Sequence, residues 1–117
     1  MAEVTVWHNP RCSKSRGACA LLAERGIEPE VRRYLDDAPD RSELERVLRL
    51  LGTDDPRELM RTSDRRYREL DLADADRAQL LDALEAEPAL LQRPVVLRGG
   101  RAVIARPPER VLELLDD

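Results

Sequence analysis

Apolar positions recur along this chain with two different periods, and the switches between them mark the elements. Val4–Trp7 ("VTVW") is a β-branched and aromatic run that predicts a short buried strand. "HNPRC" then turns the chain. From Ser13 onward, Ala18, Leu21 and Leu22 are spaced as on a helix that stops at Gly26. Residues 28–35 ("EPEVRRYL") predict a second strand, followed by a polar loop around "DDAPD". Asp40, with Glu43 three residues later, has the form of a capping box. It precedes Leu44, Val47, Leu48 and Leu51, one apolar helix stripe closed by Gly52. Asp55, Pro56 and Glu58 open a short helix ending near Met60. Another short helix is predicted over 64–70. A longer one runs from Asp74 or Asp76 to Glu87, with Leu80, Leu81 and Leu84 inward and Pro88 as its stop.

The last third returns to strands. "PVVLRGGRAVIA" reads as two strands around Gly99-Gly100, a two-residue hairpin signal. "RPPERVLELL" predicts a closing helix with prolines in its first turn and Val111, Leu112, Leu114 and Leu115 as its apolar positions. The order is strand, helix, strand, helical middle, hairpin, helix. A β-α-β start demands a parallel pair with a right-handed crossover. The expected fold is therefore α/β, a mixed sheet with helices on both faces. Residues 1–117 are expected to form a single domain with a helical insertion over about 40–88.

Composition narrows the classes. The chain has 117 residues, 42% apolar and 38% charged, a balance suited to one soluble globular domain. No apolar run reaches the ~20 residues of a membrane-spanning helix. "MAEVTVW" lacks the basic start and apolar middle of a secretory signal. A cytoplasmic location, no membrane and a monomeric state are expected. The net charge of −4 disfavours a simple nucleic-acid binder, although Lys14 is the only lysine beside many arginines. Trp7, Tyr34 and Tyr67 are the only aromatics, so no stacking platform for nucleic acid is visible.

Candidate chemistry centres on one of two cysteines. Cys12 falls where a strand runs into a helix, among unpaired backbone N–H groups at the positive end of the helix dipole. Arg11, Lys14 and Arg16 add positive potential, the setting that turns a thiol into a reactive thiolate. The alternative is a small hydrophobe packed under a helix start. His8, the only histidine, either assists the thiolate or is a turn residue. A dithiol oxidoreductase would carry a second cysteine at position 15, where this chain has Ser15. Cys19 is no substitute. Seven residues of helix separate two Cα atoms by roughly 10 Å, beyond the ~7 Å disulfide limit. Cys19 reads as a core-facing helix residue, and an adduct on Cys12 requires an external thiol. With one histidine and two cysteines, no metal site is expected.

Three arginines stand at element ends: Arg61 in "ELMRT", Arg93 before Pro94, and Arg106 before Pro107. A residue before proline is biased to an extended backbone, which helps fix its side chain. Guanidinium forks suit oxyanions, although in so arginine-rich a chain each also reads as a solvated surface residue.

Together, "HNPRCSKSR", "ELMRT", "LQRPVVL" and "IARPPE" closely resemble the glutaredoxin-linked arsenate reductases over nearly the whole chain. The family pattern is His-Asn-Pro-x-Cys-x-x-Ser, then an arginine, then Arg-Pro-Ile/Val-Val, then Arg-Pro. The resemblance implies a thioredoxin-like fold with a helical insertion. It implies that Cys12 attacks arsenate, with His8 and Ser15 beside it. It implies that Arg61, Arg93 and Arg106 hold the oxyanion and that Pro94 is a cis-proline. It further implies glutathione or another low-molecular-weight thiol as co-substrate, a glutaredoxin-type partner, and no tightly bound cofactor. Two other classes stay open: a Spx-like redox regulator that binds a partner protein, and a thiol-transfer enzyme for another oxidised substrate.

Overall fold

The structure, a computed structural model, describes residues 3–115. The chain divides into two compact units, residues 1–37 with 93–117, and residues 38–92.

The first unit is built on a four-stranded sheet. Its strands are β1 (Val4–Trp7), β2 (Glu30–Arg32), β3 (Val95–Arg98) and β4 (Arg101–Ile104), in the order β2-β1-β3-β4. β1 pairs in parallel with β2 across helix α1 (Ser13–Glu24), while the β1–β3 and β3–β4 pairs are antiparallel. This mixed sheet is the thioredoxin-like arrangement. Arg98 faces Arg101 across Gly99-Gly100, so the hairpin turn is the two-residue one expected. Strand alternation puts Val4, Val6, Val96 and Val103 on one face. Ala18 and Leu22 of α1, and Val111 and Leu114 of the closing segment, complete that core. α1 and the closing segment approach closely at Gly17, where a Cβ would meet Pro108 Cγ at 3.1 Å. Both helical segments of this unit thus share one face of the sheet.

Two expected elements are corrected. The second strand is shorter than 28–35 because the chain turns as soon as it has paired with β1. The Arg33 carbonyl accepts hydrogen bonds from the Asp36 and Asp37 N–H groups at 3.0 and 2.9 Å, and β2 ends at Arg32. The closing helix is a 3₁₀ helix over Pro108–Leu114. Its turns close by i→i−3 bonds: the Arg110 N–H bonds the Pro107 carbonyl at 3.0 Å and the Leu115 N–H the Leu112 carbonyl at 3.1 Å.

The second unit is helical: α2 (Arg41–Leu51), α3 (Arg65–Glu69) and α4 (Arg77–Ala86), joined by short 3₁₀ turns. Asp40 and Glu43 form the expected capping box of α2, and Gly52 ends it at φ 78°, a left-handed position that favours glycine. Asp76 and Gln79 form a second box at the start of α4. Leu44, Val47 and Leu48 of α2, and Leu80, Leu81 and Leu84 of α4, are buried. Arg41 ties the two helices by pairing with Asp82 and, at 2.7 Å, with Glu85. The Arg57 guanidinium donates to the Leu72, Ala73 and Ala75 carbonyls at 2.9–3.1 Å, pinning the turn before α4.

Candidate active site

β1 delivers the chain to a tight loop, His8–Asn9–Pro10–Arg11, whose polar groups bond inward. Asn9 Oδ1 accepts the Arg11 N–H at 3.0 Å, and the Asn9 carbonyl accepts the Cys12 N–H at 3.0 Å. The Arg16 guanidinium reaches back to the Pro10 carbonyl at 2.9 Å. This self-bonded turn places Cys12 at the N-cap of α1, with an extended backbone and no side-chain cap hydrogen bond.

Cys12 is partly exposed, and its thiol is held below the ordinary value. Desolvation is the largest single influence and opposes the thiolate. The Ser15 N–H, the Arg93 guanidinium and the Lys14 N–H together outweigh it. A thiolate gains from these donors where a neutral thiol, a weak acceptor, does not. Cys19 behaves oppositely, since burial pushes its thiol up. Of the two cysteines, Cys12 is the one whose surroundings favour the thiolate.

Ser15 is fully buried and carries two contacts. Its Oγ accepts the Asn9 N–H at 3.1 Å and lies 2.6 Å from His8 Nδ1. The hydroxyl accepts from Asn9 and keeps its own proton to donate to an unprotonated Nδ1. That suits a neutral imidazole. Burial, then Arg33 and Arg16, hold the His8 pKa below its usual value. His8 thus bonds to Ser15, with Cys19 Sγ 3.8 Å from the same nitrogen.

Arg93 and Arg106 stand on the strand side of the same unit. Arg106 Nη1 donates to the Arg93 carbonyl at 3.3 Å. Arg93 Nε is buried without a hydrogen-bond partner, so part of this guanidinium is desolvated and unspent. The Arg93–Pro94 bond is cis, and so is Arg106–Pro107, which nothing in the local sequence signalled. Cys12, Ser15, His8, Arg93, Pro94 and Arg106 all belong to the first unit. Arg61 belongs to the second, where its N–H bonds the Leu90 carbonyl at 2.8 Å and its side chain pairs with Asp64 at 3.1 Å. Sequence reading passed over Arg33. The parallel register could have found it, because Trp7 faces Arg32 and the His8 N–H bonds the Arg32 carbonyl at 2.7 Å. Among the described residues, no three His, Cys, Asp or Glu side chains cluster as metal ligands, and no helix is long and apolar enough to cross a membrane.

A mixed sheet of this order, with a cysteine at the start of its first helix and arginine on the adjoining strand side, places the chain in the thioredoxin-like fold class. The chain belongs to the ArsC family, whose sequence model matches residues 7–114. It is 48% identical over 117 residues to an arsenate reductase of Neisseria meningitidis, covering 98% of this chain and 100% of that one. It is 46% identical over 115 residues to the Escherichia coli (strain K12) protein named uncharacterized protein YfgD, covering 97% of each. Among solved structures, an arsenate reductase from Vibrio cholerae superposes with a TM-score of 0.93 at 42% identity, covering 97% of this chain and 98% of that one.

Proposed function

We propose that this protein reduces arsenate to arsenite through a covalent bond between Cys12 and arsenic, using an external thiol and a glutaredoxin-type partner. The observation that carries the reading is Cys12 itself, a thiol held toward its thiolate beside Arg93 in an ArsC-family chain. The thiolate attacks As(V) and displaces one oxygen, which leaves as water after protonation. Arg93 and Arg106 offset the charge on the remaining oxygens, a role that the family resemblance also gives to Arg61. A second thiol, glutathione or a similar small one, then attacks the Cys12 sulfur. The two sulfurs supply two electrons, so As(V) becomes As(III) and a mixed disulfide remains on Cys12. A glutaredoxin-type thiol attacks that disulfide at the small-thiol sulfur and returns Cys12 as thiolate. Ser15 stands where a dithiol enzyme would carry its resolving cysteine, which supports the external route.

The test is arsenate-dependent NADPH consumption in a coupled glutathione–glutaredoxin assay. Turnover is expected for the native protein and is abolished in Cys12→Ser. Arg61→Ala is expected to raise the arsenate KM at least severalfold, and an unchanged KM removes Arg61 from the site. Absence of turnover with several thiol systems overturns the reading. Stable capture of a partner protein by the same inactive preparation would move the chain to the regulator class.

A further inference from the structure

Beside the cysteine loop lies a cavity of about 470 Å³ whose walls, His8 apart, the arsenate chemistry does not use. One wall is the loop itself, His8 to Arg11. The other is the turn that follows β2, with Arg33, Leu35 and Asp36. Its volume falls within the about 300–1,000 Å³ typical of small-molecule sites.

Two features set this cavity apart from the rest of the surface. First, its cations are unspent. The arginines elsewhere largely find acceptors: Arg32 pairs with Asp37, Arg41 with Glu85, Arg61 with Asp64, and Arg66 with Glu87. Arg11 and Arg33 have no side-chain hydrogen bond or ion pair among the described residues, although the chain carries 24 carboxylates against 20 basic side chains. They converge on one concavity, and Arg33 is close enough to depress the His8 pKa. Second, Leu35 is one of two large apolar side chains left exposed, at 44%. Arg33, Leu35 and Asp36 present in sequence a cation, an apolar surface and a carboxylate.

We infer that this cavity is the docking site for the reducing thiol, a small thiol that bears both carboxylate and ammonium groups. Arg11 and Arg33 take its carboxylates, Asp36 its ammonium, and Leu35 its carbon backbone. Arg11 lines the cavity and directly precedes Cys12, so a carboxylate held by Arg11 is anchored one residue from the nucleophile at the cavity's edge. The assignment builds on the external-thiol step proposed above, because Cys12 has no resolving thiol on its own helix, but it can be tested without arsenate. When oxidised glutathione meets the protein, the Cys12 thiolate attacks one sulfur of that disulfide. A Cys12–glutathione bond forms, the glutathione S–S bond breaks, and the departing glutathione thiolate takes up a proton. Cys12 is oxidised as the small disulfide is reduced.

The experiment measures the rate of this adduct by intact mass spectrometry, with oxidised glutathione and with the neutral 2-hydroxyethyl disulfide. Arg33→Ala is expected to slow the glutathione reaction about threefold and Arg11→Ala/Arg33→Ala about tenfold, in line with exposed charge pairs. For Arg33→Ala the neutral reaction is expected to change less than twofold. In the double variant any loss of thiolate activation at Arg11 slows both disulfides alike and leaves their ratio to report the docking site. Arg33→Lys restores most of the selectivity, and raising the salt erases it in the native protein. Equal slowing of both disulfides overturns the inference, because the arginines would then act on the sulfur alone. An unchanged ratio overturns it too, as does a rise in arsenate KM with thiol selectivity intact, which would mark an oxyanion-recruiting site. Loss of arsenate turnover with charge selectivity preserved would sink the arsenate reading and leave the thiol site standing.

Discussion

Replacing Ser15 with alanine removes a single oxygen from the point where β1, the cysteine loop and α1 meet. That oxygen accepts the Asn9 N–H at 3.1 Å and sits 2.6 Å from His8 Nδ1 in a fully buried position. A net hydrogen bond contributes about 0.5–1.5 kcal/mol, and stranding a buried donor costs about 1–3 kcal/mol. His8 and Asn9 are only half-buried, so water recovers part of that loss. The missing oxygen leaves little void. The expected destabilisation is about 1–2 kcal/mol, which for a chain of this length lowers Tm by about 4–8 °C. Urea unfolding with an unchanged m-value is the assay. His8→Ala should overlap with it, so the double variant is expected to fall short of the sum by about 0.5–1 kcal/mol. Cys12 alkylation near neutral pH should also slow, since the loosened turn no longer holds the Ser15 N–H toward the sulfur. A loss under about 0.3 kcal/mol, or strict additivity with His8→Ala, would refute the idea that this hydroxyl fixes the loop.

Other consequences follow from the same geometry. Because Cys12 is held below the ordinary thiol value, its alkylation rate should persist to lower pH than that of a free thiol; Arg93→Ala should move the profile to higher pH, and an unmoved midpoint would exclude Arg93 as a source of the shift. The sign of the linkage is that ionised Cys12 favours the folded state above the unfolded thiol pKa. That contribution is lost as pH falls through the folded value. In the helical unit, Asp40→Ala removes the oxygen that accepts the Glu43 N–H at 2.9 Å and should cost about 1 kcal/mol in urea unfolding. Gly52→Ala forces a Cβ into φ 78° and should cost about 1–2 kcal/mol, with no steric neighbour to add to it.

What the sequence disclosed followed from how local each signal is. "VTVW", the Asp40–Glu43 box and the Gly99-Gly100 turn are decided by residues within a few positions of one another, and each stands where it was expected. The second strand was overread because Tyr34 and Leu35 continue a strand-like pattern. Pairing with β1, rather than propensity, sets where it ends, and Tyr34 is buried beyond that end. The closing helix is 3₁₀ rather than α, a choice between i→i−3 and i→i−4 bonds that the spacing of its apolar residues does not decide. At the site, Cys12 and its place at a helix start were legible from one short stretch. The meeting of His8 Nδ1 with Ser15 was not, since it depends on seven residues of loop and helix closing on each other. Arg33 lies still further off in sequence and comes beside His8 only through the parallel register.

The start of α1 differs in kind from the others. Among the described residues, α2, α3 and α4 each begin at an aspartate whose oxygen accepts a backbone N–H. Those caps are made by oxygen acceptors in the side chain. α1 begins at Cys12, which makes no side-chain cap hydrogen bond and whose sulfur is a far better partner for the first turn as an anion than as a neutral thiol. The helix end is therefore conditional: fastened while the thiolate persists, released when that sulfur is protonated, alkylated or bound in a disulfide. Hydrogen exchange at the Lys14 and Ser15 amides would then act as a gauge of the sulfur, faster in each neutralised form and slower in the free thiolate. In this arrangement the nucleophile is also a structural fastener, and each covalent event on it is written into the fraying of one helical turn.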